Sequence, residues 1–369
     1  MTYCPLPFRH VFVEPRGIKP CCSFTEIQDM SVSEWLASDR LKQLQHNILL
    51  GRVDPGCRDC INNELKTGAS TRLGALKDYG SQRFDQTQID YVDYRGSNIC
   101  NFRCRSCEPY FSNGIAQDVR RSMFLQTVHQ VPPEKTAQAD DPGWIMQNLS
   151  DIRRLMFTGG EPTIMPGVRE IIQAVRDRRT DTEIIMITNG SFRDQYWIDL
   201  ARDMPNLNFT VSIDAVGPAA EVIRHGSDWS VIENNIHKLA QHGHSVNFST
   251  VITRLNLFQL VPLLTFAKTI RDGYDRPNGR TQFIQICNHP SFLSPLNWPD
   301  GLREKATEYL SSVLAWEDHL PTRSVISNLI DAIKTHVYDP AQWLLGERYN
   351  QELDRMRGES HHGLYDPAW

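Results

Sequence analysis

Three cysteines with short, unequal spacing are the first residues that could do chemistry. Cys100-x3-Cys104-x2-Cys107 lies in the stretch ICNFRCRSCEP. Three thiolates in one eight-residue loop can hold three irons of a [4Fe–4S] cluster and leave the fourth iron open to an outside ligand. A structural zinc usually takes four ligands, commonly as two separated pairs, so this triplet would need a distant fourth. A loop of inert thiols is the third reading. A second group precedes it: Cys4, Cys21, the adjacent Cys22, and Cys57-x2-Cys60. Four thiolates from this set fit either a [4Fe–4S] cluster or a zinc ion, and the spacing does not choose. The ninth cysteine, Cys287, stands far from the others in ICNHPSFLSP. It could donate a hydrogen, add a ligand or simply pack.

The elements that must position these residues alternate along the middle of the chain. Strands are expected over Ile89–Tyr94, Leu155–Phe157, Ile184–Thr188, Phe209–Ile213, Val246–Ile252 and Phe283–Ile286. Helical patterns separate them at Val168–Arg178, Trp197–Asp203, Ser230–His242 and Phe258–Arg271. Six strands joined by helical crossovers imply an α/β fold with a parallel sheet covered by helices. The triplet follows the first of these strands. Before them, RHVFV, the turn Glu14–Gly17 and IKPCC read as a β-hairpin that returns Cys21 beside Cys4. One helix is expected from Ser31 or Ser33 to about Leu50, with Trp35, Leu36, Leu41, Leu44, Ile48 and Leu49 on one side. The expected organisation is a cysteine-rich module at 1–75, a polar linker at 76–88, the alternating region at 89–290 and a helical extension at 291–369. In the extension, Arg303–Ala315 and Arg323–Val337 are the clearest helices. The long connection Pro109–Pro142 is expected to hold a helix at Ala116–Thr127 and then the polar loop PPEKTAQADDPG, a lid or a passive insertion.

The chain has 369 residues, 40% hydrophobic and 22% charged, with a formal net charge of -5. That content supports a buried core and excludes a disordered or collagenous chain. It does not suggest a dedicated nucleic-acid binder. No run approaches the roughly 20 apolar residues that span a bilayer. The start, MTYCPLPFRH, does not read as a signal peptide. The expected location is the cytoplasm, where thiols serve as metal ligands or catalysts more often than as disulfides.

Four further motifs sit at strand ends. Gly159-Gly160-Glu161-Pro162 follows the second strand in MFTGGEPTIMPG, where glycines let backbone approach a ligand and a carboxylate can pair with an ammonium group. Thr188-Asn189-Gly190-Ser191 ends the third strand. Val211-Ser212-Ile213-Asp214 ends the fourth, with Arg224 ten residues on. Thr253-Arg254-Leu255-Asn256 follows the fifth. For Asp214, Arg224 and Asn256 a cap or salt bridge is as good a reading as a ligand role.

Taken together, the Cys-x3-Cys-x2-Cys loop, the GGEP segment and the Ser-x-Asp strand end resemble the radical S-adenosylmethionine (radical SAM) superfamily. The resemblance implies a partial (β/α)6 TIM barrel. It makes Cys100, Cys104 and Cys107 ligands of a [4Fe–4S] cluster. It places S-adenosylmethionine (SAM) on the open iron, near Gly159, Gly160, Glu161, Pro162, Ser212, Asp214, Arg224 and Asn256. It further implies reductive cleavage of SAM to a 5′-deoxyadenosyl radical that takes a hydrogen atom from a substrate. The N-terminal pattern is similar to the module of SPASM/twitch radical SAM proteins: Gly17, Pro20-Cys21-Cys22, Trp35, Gly51, Cys57-x2-Cys60, Glu64, Gly68 and Ser70-x-Arg72. Leu353–Ser360, LDRMRGES, also looks like one group of those proteins. That likeness implies an auxiliary [4Fe–4S] cluster on Cys4, Cys21 or Cys22, Cys57 and Cys60, serving oxidation or electron relay. The partners it implies are a peptide or small polar metabolite as substrate and an electron donor such as flavodoxin or ferredoxin. Arg103 and Arg105, flanking the loop, could cover the cluster, attract that donor or simply pack. From a different class, a zinc or Fe–S protein with a structural or redox-sensing role would account for the cysteines alone.

Overall fold

The computed structural model describes residues 3–80, 82–132, 142–178, 180–242, 246–274 and 282–366. Packing divides the chain into two compact units, Met1–Ile99 with Pro132–Met186, and Cys100–Val131 with Ile187–Trp369. This division does not follow the expected borders at 75, 88 and 290. Among the described residues the strands are β1 (His10–Glu14), β2 (Gly17–Lys19), β3 (Tyr91–Tyr94), β4 (Arg103–Cys104), β5 (Arg154–Phe157), β6 (Glu183–Thr188), β7 (Leu207–Ser212), β8 (Arg224–His225), β9 (Val246–Ile252) and β10 (Gln282–Ile286). All six strands expected in the alternating region are present, joined by helices, as a partial barrel requires.

In the first unit β1 and β2 form the expected hairpin, with Phe12 opposite Lys19 and Val13 opposite Ile18. β1 then pairs in parallel with β3, His10 against Tyr91 through Val13 against Tyr94. β3 pairs in parallel with β5, and β5 with β6. The N-terminal module therefore extends the same sheet as the first barrel strand, which is why no packing boundary falls between them. The helix Val168–Arg178 buries Val168, Ile171, Ile172 and Val175, one stripe at helical spacing.

The expected helix from Ser31 to Leu50 is two helices, Val32–Ala37 and Asp39–Leu49. Ser38 breaks it: its backbone is extended and its side chain accepts from the Leu41 N–H, so it caps the second helix. Trp35, Leu41, Leu44 and Ile48 are buried, whereas Leu49 is 48% exposed. The polar linker also begins as helix, because Ser70 caps Thr71–Tyr79.

In the second unit β7 and β10 each pair in parallel with β9. β7 and β9 alternate strictly between buried and half-buried residues. The buried face carries Phe209, Val211, Phe248 and Ile252. The other is mostly polar, with Asn208, Thr210, Ser212, Asn247 and Ser249 beside one apolar residue, Val251. A sheet face of this composition suits a polar ligand better than a second core. In the long connection, Ser122 ends one helix, Asn113–Arg121, and its hydroxyl accepts the Leu125 N–H at the start of another, Leu125–Val128. Residues 133–141 of the expected polar loop lie outside the described residues.

Among the described residues the C-terminal region holds three α-helices, Asp300–Trp316, Leu320–Thr335 and Pro340–Arg357. The last starts with Asp339 accepting from the Ala341 and Gln342 N–H groups and stops at Gly358, whose φ is +68°. Among the described residues no helix is long and apolar enough to cross a membrane.

Candidate functional site

The Cys100–Cys107 loop is held by backbone pairing and side-chain braces within the second unit. β4 pairs antiparallel with β8, placing Cys104 opposite Arg224 and Arg103 opposite His225. The Arg105 N–H donates to the Ile223 carbonyl at 2.8 Å. Asn113 accepts the Cys100 N–H at 3.1 Å, and Ser112 donates to the Phe102 carbonyl at 3.0 Å. The Phe102 N–H points at Cys100 Sγ, 3.4 Å away. All three thiols are half-buried. Burial pushes the Cys104 thiol up, with Arg224 pulling it down and Asp214 pushing it up. Burial pushes Cys107 well above the ordinary thiol range, and the neighbouring Cys104 and Cys100 add to this. Three half-buried cysteines whose charged forms would repel one another suit a cationic centre between them, and an N–H aimed at a cysteine sulfur suits a cluster ligand. The residues present fit an iron–sulfur cluster.

Arg224 joins this loop to the strand-end motif. Its guanidinium lies 4.0 Å from Cys104 Sγ and 2.8 Å from Asp214 Oδ2. Burial works against the charge of Arg224, but Asp214 and Cys104 outweigh it and raise its pKa. Its Nε is buried with no hydrogen-bond partner among the described residues. A buried guanidinium with an unused donor beside a cysteine sulfur fits a ligand carboxylate. Asp214 is 2% exposed and accepts the Val251 N–H at 2.9 Å. Ser212 ends β7 on its half-buried polar face.

Asn256 has a different use from the one expected. Its amide donates to the Asp214 and Val251 carbonyls, both at 2.9 Å. Its Oδ1 accepts from the Thr253 N–H at 2.7 Å and hydroxyl at 3.1 Å. Fully buried and with both amide hydrogens used, it braces Asp214 and leaves no donor for SAM. The Thr188–Ser191 turn is likewise tied to the loop. Asn189 donates to Asn101 Oδ1, and Asn101 donates to Ser191 Oγ, each at 2.8 Å.

Arg105, between Cys104 and Cys107, is fully buried, so it cannot attract an electron donor at the surface. It donates to the Val222 carbonyl at 2.9 Å, the Asn350 carbonyl at 3.2 Å, Asp354 at 2.5 Å and Glu359 at 2.8 Å. Tyr349 donates back to the Arg105 carbonyl at 3.1 Å. Arg103, by contrast, pairs with Asp118 at 3.1 Å, which also holds Arg357 at 2.9 Å. The LDRMRGES stretch thus has a physical reading. Leu353 is core, Asp354 and Glu359 grip Arg105, Arg357 grips Asp118, and Gly358 makes the turn between them. Nothing within the stretch itself names those partners. Asp354 and Glu359, five residues apart around Gly358, and an arginine inside a cysteine loop were the signal available.

In the first unit, Gly160 and Glu161 donate backbone N–H groups to the Ser97 carbonyl at 3.1 Å and the Ile99 carbonyl at 2.8 Å. A Cβ on Gly160 would lie 2.0 Å from the Ile99 carbonyl oxygen, so only glycine permits this approach. The Glu161 carboxylate, 1% exposed, accepts from the Thr163 N–H at 3.1 Å and hydroxyl at 2.7 Å and caps the short turn Pro162–Ile164.

The same unit gathers the N-terminal thiols. Cys4, Cys21, Cys57 and Cys60 line one cavity, with Leu6, Phe24 and Ile48 among its walls. Cys22 is exposed and is not in that lining, so Cys21 is the thiol that faces it. Burial pushes Cys4 up to about 12, with the Leu6 N–H opposing and Cys57 and Cys60 adding to the rise. Burial followed by Asp54 pushes Cys57 up to about 12. Glu64 and Arg72, quoted from the sequence, explain the assembly. Arg72 binds Glu64, on the helix that carries Cys60, and donates to the Tyr3 carbonyl at 3.1 Å, one residue before Cys4. Four convergent thiols in an apolar cavity fit a metal or cluster.

Cys287 is 5% exposed and donates toward the His289 carbonyl at 3.4 Å. Burial pushes its thiol up to about 11. His289 sits at the surface, 3.3 Å from Glu108.

Residues 94–267 match the Radical SAM superfamily, and that stretch is a radical SAM domain. The chain is 26% identical over 190 residues to GTP 3',8-cyclase of Nautilia profundicola, covering 50% of this chain and 54% of that protein. It is 28% identical over 178 residues to an S-adenosylmethionine-dependent nucleotide dehydratase of Flammeovirga pacifica, covering 46% and 56%. The match thus spans about half the length of each curated relative. Among solved structures, Streptococcus suis SuiB bound to its precursor peptide SuiA matches with a TM-score of 0.42 at 12% identity, covering 85% of this chain and 70% of that one.

Proposed function

We propose that this radical SAM domain serves an enzyme that cleaves SAM at the Cys100/Cys104/Cys107 cluster and takes a hydrogen atom from a small polar metabolite of the nucleotide class. The observation that carries the reading is Arg224, set between Cys104 Sγ at 4.0 Å and Asp214 at 2.8 Å with a buried donor unused. When bound, the cluster and SAM supply the electron and the hydrogen-abstracting radical. The chain's own residues do the rest. Cys100, Cys104 and Cys107 would hold the cluster. Arg224 would receive the SAM carboxylate, and Asp214 keeps that guanidinium aimed and charged. Asn256 fixes Asp214 through its backbone, and Ser212 offers a hydroxyl on the same strand end. Gly159, Gly160, Glu161 and Pro162 are proposed for the SAM amino group, through backbone carbonyls rather than the Glu161 side chain, which is engaged with Thr163.

The nucleotide class is supported by the names of the two relatives, both of which act on nucleotides. The polar face of β7 and β9 supports a polar rather than an apolar substrate. Cys4, Cys21, Cys57 and Cys60 are proposed to hold an auxiliary [4Fe–4S] cluster that accepts or relays an electron. An electron donor such as flavodoxin or ferredoxin and a cytoplasmic location belong to the same proposal.

The test is anaerobic reconstitution with iron and sulfide, then dithionite-driven formation of 5′-deoxyadenosine with and without a panel of nucleoside triphosphates and short peptides. Stimulation by a nucleotide supports the full reading. Stimulation by peptides alone would overturn the substrate class, and absence of any cleavage would overturn the enzyme class.

A further inference from the structure

Beyond the cysteine sites, we propose that Glu347, His361 and His362 form a binding site for one divalent cation of the zinc class. The three residues each present a ligand atom, and these atoms lie within 4.8 Å of one another. Among the described residues this is the one such group of three or more.

The elements explain the convergence. Glu347 and Asp354 are seven residues apart on the helix Pro340–Arg357, two turns along one face. Gly358 then reverses the chain and brings His361 back onto that face. Asp354 Oδ2 accepts the His361 backbone N–H at 3.1 Å and meets Nδ1 of its ring at 2.7 Å. A carboxylate on Nδ1 assigns the proton to that nitrogen and leaves the Nε2 lone pair free, the outer-shell arrangement that metal-binding histidines use.

His361 is fully buried, and its Nε2 has no hydrogen-bond partner among the described residues. A buried, unpartnered imidazole nitrogen costs free energy unless something binds it. What it faces is Glu347 Oε2, at 3.6 Å. That separation is beyond hydrogen-bond reach and close to the roughly 3.3 Å ligand-to-ligand edge of a tetrahedral zinc site. The other carboxylate oxygen of Glu347 is occupied, by Arg254 at 2.5 Å and the Tyr365 hydroxyl at 2.8 Å, which turns Oε2 toward the histidine. His362 is exposed, with its ring centroid 4.4 Å from that of His361, so the site opens to solvent on that side.

Local charge permits a cation. Glu347, Asp354 and Glu359 face two guanidiniums, those of Arg254 and Arg105. Two imidazole nitrogens and one carboxylate oxygen are a zinc-class donor set, borderline in softness and without thiolate. Such an ion would pin the C-terminal turn to its helix. Asp354 shares its carboxylate between His361 and Arg105, so the pinned turn is the one that grips the cysteine loop. The competing occupant of the gap is a proton on Nε2, which would make His361 a buried imidazolium between two carboxylates.

The test uses the full chain, treated with chelator, desalted and titrated with Co2+ and separately with Zn2+. The thiols will bind metal as well, so the visible spectrum must separate the sites. Nitrogen- and oxygen-bound Co2+ lacks the thiolate charge-transfer band. The expected result is one equivalent without that band, retained in C57A/C60A. It should be weakened about tenfold or more in His362→Ala, a surface change that cannot disturb the core. His361→Gln should abolish it. No such equivalent, or one that His362→Ala leaves unchanged, would overturn the proposal and assign the gap to a proton.

Discussion

Arg224 lies against both Cys104 and the strand-end carboxylate of Asp214, so its replacement separates recognition from assembly. Arg224→Lys keeps a charge but loses the fork. A hydrogen bond to a charged group is worth about 1.5–3 kcal/mol, so SAM affinity should fall roughly 10- to 150-fold with iron content unchanged. Equilibrium dialysis of the reconstituted variant reads both, and unaltered SAM binding would remove Arg224 from the site. Arg105 makes the opposite prediction. Arg105→Gln leaves the half-buried Asp354 and Glu359 without their guanidinium, a loss of up to about 3–5 kcal/mol. Denaturant unfolding of the metal-free chain should show it, and a change below about 1 kcal/mol would mean that water replaces the guanidinium. Asp93 gives a pH signature. It is 4% exposed, and burial pushes its carboxyl up to about 7, with Arg95 and Thr158 pulling it back. The folded chain therefore keeps a proton that the unfolded chain loses above about pH 4. Asp93 costs stability increasingly as pH rises from there to about 7. Asp93→Asn should match wild type near pH 4 and exceed it by up to about 4 kcal/mol above pH 7. A pH-independent difference would show that Asp93 stays ionised.

At the scale of elements, two glycines make a contrasting pair. Gly358 stops the C-terminal helix at φ +68°, and a Cβ there would meet nothing within 4 Å. Gly358→Ala should cost only the left-handed backbone penalty, about 1–2 kcal/mol. Gly160→Ala would drive a methyl to 2.0 Å from the Ile99 carbonyl. That cannot be relieved by a side-chain rotation, so the turn must open and thermal stability should fall further than in Gly358→Ala. The reverse order would contradict the placement of this turn. The strands were legible because β7 alternates apolar and polar residues and β6 is a short unbroken apolar run, and the hairpin because a Pro-x-Gly turn sits between two apolar runs. The split at Ser38 was not, because a serine inside an apolar periodicity is read as a solvent position until its cap is seen. The site was legible wherever chemistry is local in sequence, as in the Cys100–Cys107 loop and GGEP. It was not legible where partners are distant. Arg105 with Asp354 spans 249 residues, and nothing in a single sequence says which acid will bury which arginine. Asn256 reads from its position equally as a ligand or a brace, and its hydrogen bonds go to the Asp214 and Val251 carbonyls and to Thr253.

For the whole molecule, the two groups of cysteines belong to different compact units and should empty independently. Cys57→Ala with Cys60→Ala should halve the iron of the reconstituted chain, from about eight to about four atoms. SAM cleavage should survive in that variant. Unchanged iron would remove the auxiliary cluster and leave the cavity to zinc or to plain thiols. The curated relatives align over only about half their length, so their reactions do not transfer as wholes, and the substrate must be found by assay. The central claim is narrower: Cys100, Cys104 and Cys107 hold the cluster at which SAM is cleaved. The most direct measurement is iron, sulfide and 5′-deoxyadenosine on C100A/C104A/C107A beside wild type. The account predicts about four irons lost and cleavage abolished, with the N-terminal iron retained. Equal iron in both proteins, or zinc in place of iron and no 5′-deoxyadenosine from wild type, would contradict it.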